Sequence, residues 1–261
     1  MDFMTLLGLI IGGGAIYYVM YEGNVVSILF DLNATILVFG GTIGCALITY
    51  PWKIVKAVPG AVKMMFFPPK HLTPDQAIRT IIELAEKSKK NGVESLQDDM
   101  KGIKIPFLKD SMQMVIDGLE PDTVSEKLDK ELGIIRRRHH QVASIFRSMG
   151  TYAPIFGLLG TLLGVVQVLR NLTDAQSMGA SMAIAVSATF YGIFGANFIF
   201  LPIAGKLTVY SEDELIIQEL FTRGVLSIQK GEVPLVVERK LEAFLAQHLR
   251  VSKREGEKGR K

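Results

Sequence analysis

Only one cysteine, Cys45, occurs among the 261 residues, so no disulfide framework can form within one chain. Histidine is nearly as scarce: there are four. Two of these, His139 and His140, are adjacent, and adjacent residues on a helix point in different directions and make a poor joint ligand set for a metal. There is no Gly-rich phosphate loop, no metal-ligand spacing and no nucleophile elbow. The chain is therefore not expected to be an enzyme, to hold a cofactor or to bind nucleic acid. The most consequential absence is of charge. Four stretches, at about residues 3–21, 32–50, 148–169 and 178–204, contain no Asp, Glu, Lys, Arg or His. Each is long enough to cross a bilayer. A protein that moves ions by itself usually keeps an ionisable group or a ring of carbonyls at membrane depth. Here hydroxyls are available instead, among them those of Thr161, Ser181, Ser187, Thr189 and Tyr191. If this chain conducts ions, a partner must bring the carboxylate.

The rest of the composition agrees. Mean hydropathy is +0.30, 49% of residues are hydrophobic and 25 are glycine, which points to an all-α polytopic membrane protein with four transmembrane helices and a helical cytoplasmic domain. Asp2 stands where a signal peptide would have a basic region, and no small-residue cleavage site follows, so the first apolar segment is expected to be retained. Short loops at residues 22–31 and 170–177 make two transmembrane hairpins. Of the 29 Lys and Arg residues, 17 lie between residues 51 and 147 and 11 from residue 206 onward. By the positive-inside rule the long loop, the tail and both termini are cytoplasmic.

Within the cytoplasmic segment, residues 52–67 are apolar with Lys53, Lys56 and Lys63, as expected of a helix lying at the membrane interface. Thr73-Pro74-Asp75-Gln76 supplies an N-cap, a proline at the first helical position and a capping-box glutamine. Ile78, Ile81, Ile82 and Ala85 follow at helical spacing, with Gly92 as the stop. Shorter helices are predicted at residues 93–100 and 107–116, with a break at Asp117-Gly118. One long helix is predicted from Pro121 directly into the third span, and the fourth span is predicted to continue to about Gln229 before Gly231. Residues 252–261 are charged and read as disordered.

The third span is the most structured in sequence. Gly157, Gly160 and Gly164 cut notches at helical spacing where another helix backbone can come close. Pro154 removes one helical hydrogen bond and should bend the helix. Thr161 puts a hydroxyl beside the notched face.

Tyr152-Ala153-Pro154, Gly157, Gly160-Thr161 and Gly164, followed by a Gly-rich fourth span with Gly192 and Gly195 that ends at Pro202, resemble the flagellar motor stator A subunit family, the MotA/PomA type. The resemblance covers nearly the whole chain. Proton-channel subunits of the ExbB/TolQ type share the last two helices but have three spans and a different loop order. The resemblance implies an inner-membrane homo-oligomer of five A chains around two single-span, peptidoglycan-binding B subunits whose membrane Asp carries the ion. It also implies torque on the rotor switch protein FliG through charged cytoplasmic side chains. The divisions are then residues 1–50, a lipid-facing hairpin; 51–147, a cytoplasmic helical domain; 148–206, a hairpin lining the ion path and the partner; and 207–261, a cytoplasmic helix and charged tail.

Residue by residue, Pro154 and Pro202 match the two membrane prolines linked in the family to the conduction cycle; the plain alternative is a helix kink. Thr161 matches a position where sodium-type stators carry Thr, and its oxygen suits Na⁺, a hard cation; the alternative is a Thr bonded to its own backbone. Thr189 matches one of a threonine pair whose other member is replaced here by Ala188. The transported ion is thus read as Na⁺, with H⁺ open. Lys89 and Lys90 match the basic position before Gly92, and Gln97 stands where the family often has Glu, with Asp98 beside it. These four are the rotor-contact candidates, against the alternative of a solvated helix face. Two other readings stay open: an ExbB/TolQ-type channel subunit energising outer-membrane processes, and a passive membrane scaffold.

Overall fold

A computed structural model describes residues 3–68, 72–170 and 172–244. The charged tail at residues 252–261 lies outside the described residues. Among the described residues there are helices and turns and no strand, so the chain is an all-α membrane protein. Among the described residues, four helices are long and apolar enough to cross a membrane: Phe3–Glu22, Leu32–Thr49, Pro121–Arg170 and Ala175–Gln229. The chain divides into two compact units, the first made of Met1–Pro69 and His139–Val209, the second of Lys70–Arg138 and Tyr210–Lys261.

In the first unit, glycines act as sockets for aromatic rings. A Cβ on Gly12 of the first span would stand 2.6 Å from the Phe198 ring of the fourth. One on Gly41 of the second span would stand 2.3 Å from Phe156 of the third, and one on Gly195 would stand 3.1 Å from Phe39. With lipid-like apolar surface on every side there is little hydrophobic drive between spans, so close packing has to hold them. The first span has no buried residue. The Lys206 ammonium also donates to the Thr5 hydroxyl, tying the fourth span to the first.

Two spans depart from the uniform α-helix that their sequence predicts. The second contains a π-helical turn, Ile36–Gly40, and the fourth contains another, Gly195–Phe200. The latter immediately precedes Pro202, whose ring would clash with the carbonyl four residues back in an α-helix; the wider π turn relieves that. In the former, the buried Thr42 hydroxyl donates to the Val38 carbonyl at 2.6 Å. The interfacial segment is also not one helix but two, Trp52–Val55 and Val58–Phe66, with Pro59 in the first turn of the second. It falls within the first unit, where Ala61 and Met65 share an apolar cluster with Phe146, Ile203 and Leu207.

The second unit has an aliphatic core including Ile78, Ile81, Leu108, Met112, Leu128 and Phe221. Its helix Pro74–Asn91 starts on the capping box: Gln76 N–H donates to the Thr73 hydroxyl at 3.3 Å, and Thr73 N–H donates to Gln76 Oε1 at 3.1 Å. It ends at Gly92, whose φ of +83° is costly for a residue with a Cβ. Residues 93–100 form two 3₁₀ turns, Val93–Gln97 and Asp99–Lys101, rather than the predicted short helix. Helices Pro106–Ile116, Pro121–Arg170 and Leu201–Gln229 follow the predicted course.

A cleft of about 420 Å³ in this unit is lined by Arg223, Lys230, Glu232 and Lys240 among others. Lys240 donates to Glu232 Oε1 at 2.5 Å, and this hydrogen bond, against an opposing effect of burial, holds the Glu232 carboxyl below the usual glutamate range. A carboxyl whose folded pKa is depressed adds stability above its unfolded pKa and loses it as pH falls through the folded value. The Lys240→Gln chain is therefore expected to melt below the native chain at pH 7. The gap should close under acid conditions, once Glu232 is protonated in both. A gap that persists at low pH would mean that Lys240 acts through packing instead.

Candidate functional site

The third and fourth spans pack antiparallel with almost no side chain between them. A Cβ on Gly157 would lie 2.9 Å from the Ala188 carbonyl oxygen, and one on Gly192 would lie 2.8 Å from that of Ala153 and 3.2 Å from Pro154 Cα. Further along, Gly160 meets the Ala188 methyl, and Gly164 meets Ala185 and the Ser181 carbonyl. In the other direction, Gly150 meets Leu201, the residue before Pro202. The four packing glycines Gly157, Gly160, Gly164 and Gly192 thus form one seam. Gly195 lies off it, facing Phe39 of the second span.

Each proline lies at or next to a seam contact, at different levels of the hairpin. Pro154 sits against Gly192, and the residue before Pro202 sits against Gly150, four positions before Pro154. The missing N–H of Pro154 is the one that would otherwise bond the Gly150 carbonyl. Even so, the helix runs unbroken from Pro121 to Arg170. Just before the proline lies a hydroxyl network that sequence reasoning did not single out. The Tyr50 hydroxyl is 3.0 Å from the Ser144 carbonyl and 2.7 Å from the Ser148 hydroxyl, and Thr49 and Tyr152 hydroxyls are 3.2 Å apart. It braces the end of the second span against the third where Pro154 weakens the backbone. Tyr50 and Tyr152 at span ends were the available signal, but their pairing spans about a hundred residues.

Thr161 and Thr189 are half-buried. Thr161 donates to the Leu158 carbonyl at 2.6 Å and Thr189 to the Ala185 carbonyl at 3.2 Å. Each hydroxyl has spent its proton on its own helix and keeps lone pairs for a cation or a water. Gly157 packs beside Thr189, and Thr161 is four residues on, so the backbones of the two threonines sit about 6 Å apart along the helix axis. Around Thr161 the third span exposes an apolar stripe: Ile155, Leu158, Leu162, Val166 and Leu169 are each more than half exposed. Among the described residues no cluster of His, Cys, Asp or Glu could hold a metal.

The four charged or polar candidates of the second unit differ in their surroundings. The Lys89 ammonium donates to the Gly231 carbonyl at 2.9 Å, closing the end of helix Leu201–Gln229. The Gln97 amide pairs with Gln113 at 3.3–3.4 Å. Lys90 is exposed at the helix end. The Asp98 side chain is 87% exposed and forms a 2.8 Å ion pair with Lys101, whose hydrogen bond lowers the Asp98 pKa. Asp99, its neighbour, is held by Lys87 at 2.7 Å. Lys89 and Gln97 are thus tied to the body of the unit, whereas Lys90 and the Asp98–Lys101 pair are solvent-exposed.

Comparison with known proteins agrees with this architecture. The profile of the MotA/TolQ/ExbB proton channel family matches residues 99–220. Motility protein A of Borreliella burgdorferi is 33% identical, with 94% of both chains covered. Chemotaxis protein PomA of Vibrio alginolyticus is also 33% identical, over 94% of this chain and 96% of that protein. The structure of C. jejuni MotAB includes a chain that superposes with a TM-score of 0.88 at 28% identity, covering 95% of this chain and 97% of that one. Full-length similarity of this kind, carried on four apolar spans and a glycine seam, places the chain in the motility protein A branch of the MotA/TolQ/ExbB family, a family of channel proteins and not of enzymes.

Proposed function

We propose that this chain is the A subunit of a bacterial flagellar stator, working with a single-span B subunit to couple ion flow to torque. The observation that carries this is the combination in its last two spans: no Asp, Glu, Lys, Arg or His, a close backbone seam that passes Pro154, and hydroxyls beside an exposed apolar stripe. Such a hairpin offers a wall and ligand oxygens but no carrier. It fits a partner helix that brings a carboxylate. Relatives solved as MotAB complexes support the same pairing. Copies of the chain surround the B subunits in the cytoplasmic membrane, with both termini and the second unit in the cytoplasm. The rotor is engaged through Lys90, Asp98 and Lys101, while Lys89 and Gln97 hold the unit itself together.

The ion is Na⁺ in this reading, with Thr161 supplying one oxygen and Thr189 a second about one turn away. The test is swimming speed against external Na⁺ at fixed proton motive force, in cells that depend on this chain and its partner. Speed should rise and saturate with Na⁺, and Thr161→Ala should shift the half-saturation point upward by about tenfold, the value of one lost charge-assisted contact of about 1.5 kcal/mol. Speed indifferent to Na⁺ but lost with a protonophore would make this a proton motor, with Thr161 a packing residue. Ala188, standing beside Thr189 where a second hydroxyl would complete the set, is the residue that favours that outcome.

A further inference from the structure

The segment between the second span and the capped helix of the second unit has a feature that torque and conduction do not use. Its helices Trp52–Val55 and Val58–Phe66 keep a helical course across their junction: Lys56 N–H donates to the Trp52 carbonyl, Ala57 N–H to Ile54 and Ala61 N–H to Ala57, each at 3.0 Å. One side, with Val58, Ala61, Val62 and Met65, packs into the apolar cluster of the first unit. The other side follows the i, i+3, i+4 spacing through Lys53, Lys56, Gly60, Lys63 and Phe67, and all five are exposed. Trp52 and Phe67 stand at its two ends, 74% and 57% exposed.

No acidic residue occurs between Asp31 and Asp75. Among the described residues, none of these three lysines pairs with a carboxylate. A row of unpaired ammonium groups, flanked by an indole and a phenyl and backed by apolar packing, matches the layered chemistry of an anionic bilayer surface. Phosphates lie at the level of the lysines, and the aromatic rings sit at the headgroup boundary.

We infer that this face, Lys53–Lys56–Lys63 with Trp52 and Phe67, is a docking surface for acidic phospholipid headgroups of the cytoplasmic leaflet, and that it selects them over zwitterionic ones. Each lysine near such a surface is worth about fivefold in partition, so three acting together enrich acidic lipid around the segment well beyond its bulk fraction. The attraction is electrostatic and weakens as salt shortens the screening length.

Trp52 is the only tryptophan in the chain, so its fluorescence reports this face without labelling. The full-length protein is placed in bilayer nanodiscs of phosphatidylcholine and phosphatidylglycerol at equal mole fractions, with bromine on the acyl chains of one lipid or the other. Brominated phosphatidylglycerol is expected to quench Trp52 several-fold more strongly than brominated phosphatidylcholine. The difference should shrink in about 1 M salt and disappear in the Lys53→Gln, Lys56→Gln, Lys63→Gln chain. Equal quenching by both lipids, or a preference unaffected by salt, would overturn the proposal. Quenching by neither lipid would also overturn it, because the face would then be covered by protein, such as a second copy of this chain. The salt series on the native chain decides the matter even where the triple variant fails to fold.

Discussion

Replacing Gly192 by valine is expected to abolish swimming and to lower the thermal stability of the purified chain. The first atom beyond the backbone at this position meets the Ala153 carbonyl at 2.8 Å, Gly157 Cα at 3.0 Å and Pro154 Cα at 3.2 Å. All three are main-chain atoms, so no rotamer change makes room. The spans must move apart, and the contacts of Gly157 and Gly160 with Ala188 are lost together. Overpacking in a well-packed core typically costs 1–3 kcal/mol, and a site walled by backbone on three sides belongs at the top of that range, about 3 kcal/mol. The check is the melting temperature in detergent beside motility of the complemented strain. Gly133→Ala is the control: Gly133 is exposed, nothing lies within 4 Å of its added methyl, and alanine is the better helix former. Normal melting of Gly192→Val would mean that the seam is looser than its geometry.

Pro154→Ala is expected to leave the chain at normal level in the membrane and to reduce ion-driven rotation by about two orders of magnitude. An interior helical proline disfavours the straight helix by about 3 kcal/mol through its missing N–H and its clash with the carbonyl four residues back. Alanine restores the donor to the Gly150 carbonyl. If the working cycle passes through a bent third span, that state then becomes about a hundredfold rarer, at about 1.4 kcal/mol per factor of ten. The measurement is single-motor torque or swimming speed, with membrane quantity of the chain as the second readout. Wild-type speed from Pro154→Ala motors would leave the proline no more than a tolerated kink. The two predictions separate cleanly, because valine at 192 strikes assembly and alanine at 154 strikes the cycle.

The spans, the capping box and the stops at Gly92, Gly118 and Gly231 were legible in the sequence because each is a local matter. An apolar run of the right length, a Thr-x-x-Gln pattern or a glycine after a periodic stretch carries its own cause. The packing glycines of the third span were legible for a similar reason, since spacing alone puts them on one face. What spacing could not say was which partner each glycine meets: Gly157 meets Ala188 and Gly192, whereas Gly195 of the fourth span meets Phe39. Lys89 and Gln97 show the same limit. Both are exposed, as their positions read, but spacing could not show that Lys89 caps a carbonyl 142 positions away or that Gln97 pairs with Gln113. The π turns were illegible for a different reason. They are matters of backbone phase, set by Pro202 in one case and by no residue of special conformation in the other.

Those two π turns adjoin through the ring of Phe39, which lies 6.3 Å from Phe200 and 6.2 Å from Tyr191, centroid to centroid. A π turn holds one residue more than the α turn it replaces, and one residue of an α-helix corresponds to about 100° of rotation about its axis. Each of these spans therefore stores a dislocation, in the crystallographer's sense: a surplus lattice unit confined to a few planes. A dislocation moves more easily than a lattice shears, because only the bonds at its core exchange partners while the rest stay made. A rod carrying one can turn one end relative to the other in discrete steps without ever unwinding.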